Sequence, residues 1–247
     1  MSRPGTRRVP SGSFRRGSDR SADEGPVATV HLSAFDIDVV PVTNRDFATF
    51  VAANGYRNRK LWSAAGWEWV SRHGVLRPAY ERDPVWGEFD MPVTGISWWE
   101  AAAYARFRGG QLPSEAQWER ACGGPDGRSY PWGEDPPISE FANFAPDGEP
   151  LDRRPTLATA HERNCSGFGI IDLAGNFAEW CLDNYRSRYG PEVADPVCLI
   201  DEGDDHVVRG GSGLHDGEYL RCTARDSYSP TIRDNLISFR CVYRPDD

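Results

Sequence analysis

From Gly124 onward the sequence carries no further helix signal, so about half of the chain must be ordered as loops and short strands. Ordered loops of that length need something to hold them, such as metal ions, disulfides or aromatic packing. This argues against a helical bundle and points to a mixed α+β chain with little regular structure. The 25 Gly, 19 Pro and nine Trp agree with it, since they suit a loop-rich domain with an aromatic core. The strand-like stretches in this half are short: 207–209 (Val-Val-Arg) and 239–243 (Phe-Arg-Cys-Val-Tyr).

Upstream of Gly124 the signals are clearer. Residues 27–32 and 35–40 alternate apolar and polar positions around Ser33-Ala34 and read as two strands. Thr43 opens a helix whose inner stripe is Phe47, Phe50 and Val51, with Gly55 as its stop. Ser97 and Glu100 form a capping box ahead of Ala101, Tyr104 and Phe107, and Gly109-Gly110 closes that helix. Ser114 and Gln117 form another, with Trp118, Ala121 and Cys122 facing inward and Gly123-Gly124 at the end. We expect residues 1–8 to be a mobile tail and residues 9–247 to form a single domain.

Net charge is −9, which argues against non-specific nucleic-acid binding. The first twenty residues run the other way, with six Arg against one Asp, and read as a solvated end. No run approaches the ~20 apolar residues that cross a bilayer. Arg7-Arg8 is followed by Val9-Pro10-Ser11-Gly12 rather than an apolar segment, so export is not indicated and a cytoplasmic protein is expected. The six Cys show no zinc-like spacing. There is no Gly-x-Ser-x-Gly elbow for a hydrolase and no phosphate-cradling Gly-rich loop before a capped helix.

The segments, taken in order, resemble those of the formylglycine-generating-enzyme (sulfatase-modifying-factor) family. Residues 9–18 resemble its opening "IPGGxFxMGS" strand, and Pro41-Val42-Thr43-Asn44 with Phe47 and Gly55-Tyr56 its "EVTNxxYxxFVxAxGY" helix. Pro92-Val93, Ser97-Trp98 and 112–119 match its central block, and 130–133 match "YPWG". Residues 172–180 match "GLYDMAGNVWEW", while 208–212, Arg225, Pro230 and 239–241 match the closing "RVxRGGS…R…P…GFRC". The resemblance runs from about Val9 to Cys241 and implies a fold related to the C-type lectin fold.

It also implies a calcium site at Asp172, Gly175, Phe177 and Glu179, two hard carboxylates flanking a turn that exposes carbonyls. Read without the family, the same acids suit ion pairs with nearby Arg. The family's second calcium site would begin at Asn143, but the loop 145–154 differs in length and the site is not carried over. Cys122 and Cys241 fall where related proteins carry a disulfide. In a reducing cytosol the expectation is two buried thiols lying close together.

The main departure follows Ser212. Formylglycine generators place two cysteines between Gly-Gly-Ser and the next Arg-rich strand, hold copper there, and exchange with a substrate cysteine. Here the residues are Gly213-Leu214-His215-Asp216-Gly217-Glu218-Tyr219-Leu220-Arg221, with no Cys before Cys222. Formylglycine generation by that mechanism is therefore not expected. Ser212, His215 and Asp216 are the candidate catalytic residues, with His206 nearby in sequence, and a redox copper or iron is the candidate cofactor there. Arg225, Tyr228, Arg233 and Glu218 are candidate contacts to a small molecule or peptide. Two readings stand: a metal-dependent oxidative enzyme acting on a small molecule or peptide side chain, and a non-catalytic lectin-like binding module with structural calcium.

Overall fold

The computed structural model describes residues 5–146, 154–191 and 193–245. The chain opens with strands β1 (Thr6–Val9), β2 (Gly12–Arg16), β3 (Ala28–Leu32) and β4 (Phe35–Asp38). Four helices follow: α1 (Asn44–Ala52), α2 (Ala64–His73), α3 (Trp98–Phe107) and α4 (Glu115–Gly123). The remainder contributes β5 (Ala178–Asn184), β6 (His206–Arg209), β7 (Asp226–Tyr228), β8 (Ile237–Ser238) and β9 (Val242–Tyr243). They form a sheet in the order β1-β4-β9, a β2-β3 hairpin and a four-stranded sheet in the order β7-β6-β5-β8. This is the α+β architecture expected, with a few short helices and long connections.

Residues 6–8 were expected in a mobile tail. They are strand instead: Thr6 pairs with Asp38 and Arg8 with Asp36, and Arg8 also reaches the Asp36 carboxylate. Residues 1–4 of that tail lie outside the described residues, as does most of the loop 145–154.

The helices form where their caps predict. Side chain and backbone exchange hydrogen bonds at Thr43 with Asp46, at Ser97 with Glu100, and at Ser114 with Gln117. Helix α2 was not anticipated, although Ser63 caps it and Gly74 ends it in the left-handed conformation. Gly66, one turn in, interrupts the apolar period. A Cβ there would come within 3.0 Å of the Trp99 side chain, so the glycine lets α2 lie against α3.

The largest buried cluster joins these helices to the C-terminal strands. Phe47 stacks on Tyr104 at 5.1 Å and meets Phe50 and Phe239 edge-on, with Trp180 fully buried in the same cluster. A second cluster packs Val30, Ile37 and Val207 around Trp118. Aromatic pairs of this geometry contribute about 0.5–1.5 kcal/mol each beyond their burial.

Outside the helices, buried arginines hold the loops. Arg209 meets Glu119 at 2.6 Å, Arg221 meets Glu24 at 2.8 Å, Arg225 meets Glu115 at 2.6 Å, and Arg240 meets Glu179 at 2.6 Å. The cysteine pairing differs from expectation. Cys122 at the end of α4 is joined to Cys222, with 5.5 Å between Cα atoms, and Cys241 is a separate buried thiol. The partner of Cys122 comes from the loop beyond Ser212, which the last turn of α4 approaches, and not from the closing strand. No helix among the described residues is long and apolar enough to cross a membrane.

Candidate functional site

The loop that carries the candidate catalytic residues leaves the end of β6 through Gly210 and Gly211, both at positive φ (94° and 67°). A Cβ at Gly210 would lie 2.8 Å from the Leu173 carbonyl oxygen and 3.1 Å from the Trp118 ring, so only glycine allows this approach. The Gly210 carbonyl in turn accepts the Gly175 N–H, and the Asn176 carbonyl accepts that of Gly213. The loop thus rests directly on the 172–177 turn.

Ser212 and His215 form one closed unit. The Ser212 N–H donates to His215 Nδ1 at 3.0 Å, and the Ser212 hydroxyl lies 2.9 Å from the same nitrogen. The Leu214 N–H donates to the hydroxyl oxygen, which directs the hydroxyl proton toward His215. With a backbone N–H pointing at it, Nδ1 is an acceptor, so the neutral ring carries its proton on Nε2. Burial lowers the His215 pKa and favours this neutral form, against the opposing charges of Asp226 and Asp216. The ring packs 4.6 Å from that of Tyr219. Together with Asp226 and the Gly210-Gly211 turn they line a niche of about 10 Å³, roughly the space of one water.

The structure brings Ser212 and His215 together and adds Tyr219 and Asp226. Tyr219, four residues after His215 on the same loop, was open to discovery in the sequence. Asp226 comes from the next strand and gave no signal. Asp216 points away: it is exposed and accepts the Glu218 N–H, capping the turn Gly217–Leu220. Glu218 is exposed and pairs with Arg221 at 3.1 Å. Arg225 gives its fork to Glu115, and Arg233 pairs with Glu100 at 2.9 Å and also donates to the Arg77 carbonyl. Tyr228 is half-buried on β7, its pKa raised to about 12 by burial. His206 stands at the opposite end of β6 from Arg209, stacked 3.7 Å from Trp98, and burial lowers its pKa to about 4.

The metal expectations divide. A redox copper or iron needs several soft or imidazole donors turned inward, and His215 presents a protonated Nε2 with no second His beside it. No group of three His, Cys, Asp or Glu among the described residues could hold a metal ion. The donor set does not fit that metal. In the expected calcium segment, Asp172 and Asn176 take positive φ and Asp172 is buried, hydrogen-bonded to the Asn176 amide at 2.9 Å. Burial raises its pKa to about 8. Asn164, whose carbonyl accepts the Asp172 N–H, has its side-chain oxygen buried without a partner, so this end has oxygens to offer a hard cation. Glu179 is different: Arg240 takes both of its oxygens, at 2.6 and 2.7 Å, and Trp118 Nε1 adds a bond at 3.0 Å. The four expected ligands are therefore not equally available.

A loop-rich α+β module with short capped helices, a lectin-like arrangement of small sheets and a Gly-Gly-Ser turn beneath its candidate site is the class this chain falls in. The chain belongs to the sulfatase-modifying-factor family: residues 1–245 match the profile of the sulfatase-modifying factor enzyme 1-like domain. It is 34% identical to the formylglycine-generating enzyme of Streptomyces coelicolor over 95% of this chain and 88% of that protein. It is 30% identical to the hercynine oxygenase of Mycolicibacterium thermoresistibile over 91% of this chain, and spans 54% of that relative's length. Among solved structures, PvdO from Pseudomonas aeruginosa superposes with a TM-score of 0.70 at 20% identity, over 98% of this chain and 99% of the other. That last likeness concerns the fold alone.

Proposed function

We propose that this chain serves an oxidative reaction on a small molecule or a peptide side chain, other than formylglycine generation, with residues 212–219 as the surface that meets the substrate. The observation that carries the reading is the Ser212–His215 unit, buried at Ser212 and half-buried at His215, which stands where formylglycine generators are expected to place their two thiols. A neutral imidazole fixed through Nδ1 offers a directed Nε2–H donor to a substrate oxygen or nitrogen, and Tyr219 adds an aromatic wall. These residues can hold and orient a substrate. Similarity to a protein named hercynine oxygenase supports an oxidative role, although that relative is about twice as long as the matched segment. No metal step is assigned to His215. For calcium, we read Asp172, Gly175 and Phe177 as the available end of the segment and Glu179 as neutralised by Arg240.

The competing reading is a non-catalytic ligand-binding module, favoured by the lack of a three-donor metal cluster among the described residues. One experiment separates the two. Oxygen uptake and product mass are followed for the purified chain, as isolated and with Fe(II) or Cu(I) added, mixed with a panel of thiol- and imidazole-bearing small molecules and peptides. Substrate-dependent uptake, reduced at least about tenfold in His215→Ala (~1.4 kcal/mol of transition-state stabilisation), is the expected result. Saturable binding of panel members with no uptake under either metal would replace the oxidative reading with the binding module.

A further inference from the structure

Arg209, Arg221, Arg225 and Arg240 are buried and each meets a carboxylate. Arg16, at the end of β2, is only 5% exposed and meets none among the described residues. Its Nη2 donates to the Gly190 carbonyl at 3.3 Å, and its guanidinium carbon lies 4.1 Å from the centre of the Tyr189 ring. Its Nε–H is buried without any partner. Arg120 also lacks an acid and has an unpartnered Nε, but its two Nη atoms both end on carbonyls, of Gly12 and Pro10, whereas Arg16 has one such bond. A buried cation left uncompensated is costly, so the position of Arg16 calls for an anion.

There is room for one. Arg16 lines a cavity of about 170 Å³ whose wall also holds Arg186, Arg188, Arg225, Glu115 and Asp183. The two acids on that wall are already engaged. Both Glu115 oxygens accept from the Arg225 fork, at 2.6 and 2.9 Å. The Asp183 oxygens accept the backbone N–H groups of Glu115 and Cys198, both at 2.8 Å. Arg186 and Arg188 are exposed and have no acid partner among the described residues. Arg16, Arg186 and Arg188 therefore line one cavity without an ion pair of their own among the described residues. Against them stands the single carboxyl of Asp183, which has no cation partner there and whose pKa burial raises to about 7. Guanidinium forks suit planar and tetrahedral oxyanions. In the family pattern quoted above the position of Arg16 is a methionine, so the cation belongs to this chain's own sequence.

We infer that this cavity is a subsite for a small oxyanion, the phosphate or carboxylate group of a ligand, with Arg16 as its buried anchor. Arg225 lines both this cavity and the niche beside His215, which places the subsite behind the candidate site. The inference does not depend on the oxidative reading, because binding is measured without turnover.

The test is calorimetric titration of the full chain with inorganic phosphate and with succinate, at ionic strength held constant with chloride. Saturable binding of at least one, weakened about tenfold or more in Arg16→Met and severalfold in Arg188→Gln, is the expected result. Tighter binding of phosphate or of succinate tells which group the ligand carries. Far-UV circular dichroism checks that Arg16→Met is folded. If it is not, the double variant Arg186→Gln/Arg188→Gln takes its place, with the same loss expected. No saturable binding of either anion to the wild type, or undiminished binding in a folded variant, overturns the inference.

Discussion

Around α1, α2 and α3 the contacts are rings on rings: Phe47 on Tyr104 at 5.1 Å, and Trp69 against Trp99 at 5.4 Å. Around β5, β6 and the segments that follow they are guanidiniums on carboxylates: Arg209 on Glu119, Arg225 on Glu115, Arg240 on Glu179. The two regions respond differently to a single lost partner. A ring removed from an aromatic cluster leaves a cavity that its neighbours can partly fill. A guanidinium removed from a buried pair leaves a charge with no solvent, and the pair itself contributes little net stability beyond an apolar replacement. The loop side is thus ordered by matching, and the helical side by packing.

The sharpest way to break this comparison is at Arg240. Arg240→Met leaves Glu179 buried beside Trp118 and is expected to cost about 3–5 kcal/mol in urea unfolding. Arg240→Met combined with Glu179→Leu should recover most of that loss. A double variant as unstable as the single would show that packing, and not charge matching, sets the stability there.

The next effect lies where the two regions meet, at His206 on β6, stacked on Trp98 of α3. Its ring accepts at Nε2 from the Asn184 amide and donates from Nδ1 to the Leu182 carbonyl, an arrangement of the neutral form. Burial holds its folded pKa at about 4, below the ordinary 6.5. Between those values the unfolded chain binds more protons than the folded one, so stability is full above pH 6.5 and falls as pH drops toward 4. From pH 6.5 to 5 the loss from this residue should be about 2 kcal/mol. Urea midpoints across that range should show the slope, and His206→Gln should flatten it. An unchanged slope in that variant would assign the acid sensitivity elsewhere.

The smallest effect tests the helical side. Ser97→Ala removes the side chain that accepts the Glu100 N–H at the start of α3, and should cost about 1 kcal/mol. A loss as large as that of Arg240→Met would erase the distinction between the two regions.

What the sequence made legible follows the same divide. Helix caps are local, and those at Thr43, Ser97 and Ser114 could be read from residues three apart. Helix α2 escaped because Gly66, a concession to Trp99 on another helix, broke its period. On the loop side the partners of Arg209, Arg225 and Arg240 lie 61 to 110 residues away. Only the family resemblance could hint at an order there, and it suggested Cys241 where Cys222 is the partner of Cys122. At the candidate site, Ser212 with His215 was legible because both belong to one short loop. Asp226 was not, because β7 brings it across. Arg225 and Arg233 were expected at a ligand. Their guanidiniums are instead paired with Glu115 and Glu100, acids too distant in sequence to be read as partners.

The closing contacts of the fold have a consequence for its synthesis. Glu24 bonds to Arg221 across 197 residues, and Ile37 of β4 pairs with Val242 of β9. At about 5–20 residues per second, roughly 10–40 s separate the emergence of Glu24 from that of its partner. During that interval the N-terminal strands have one finished edge and one bare one, and a carboxylate that will later be buried must stay in water. The final arrangement of Glu24 and of the free edge of β4 therefore waits on Arg221 and on β9.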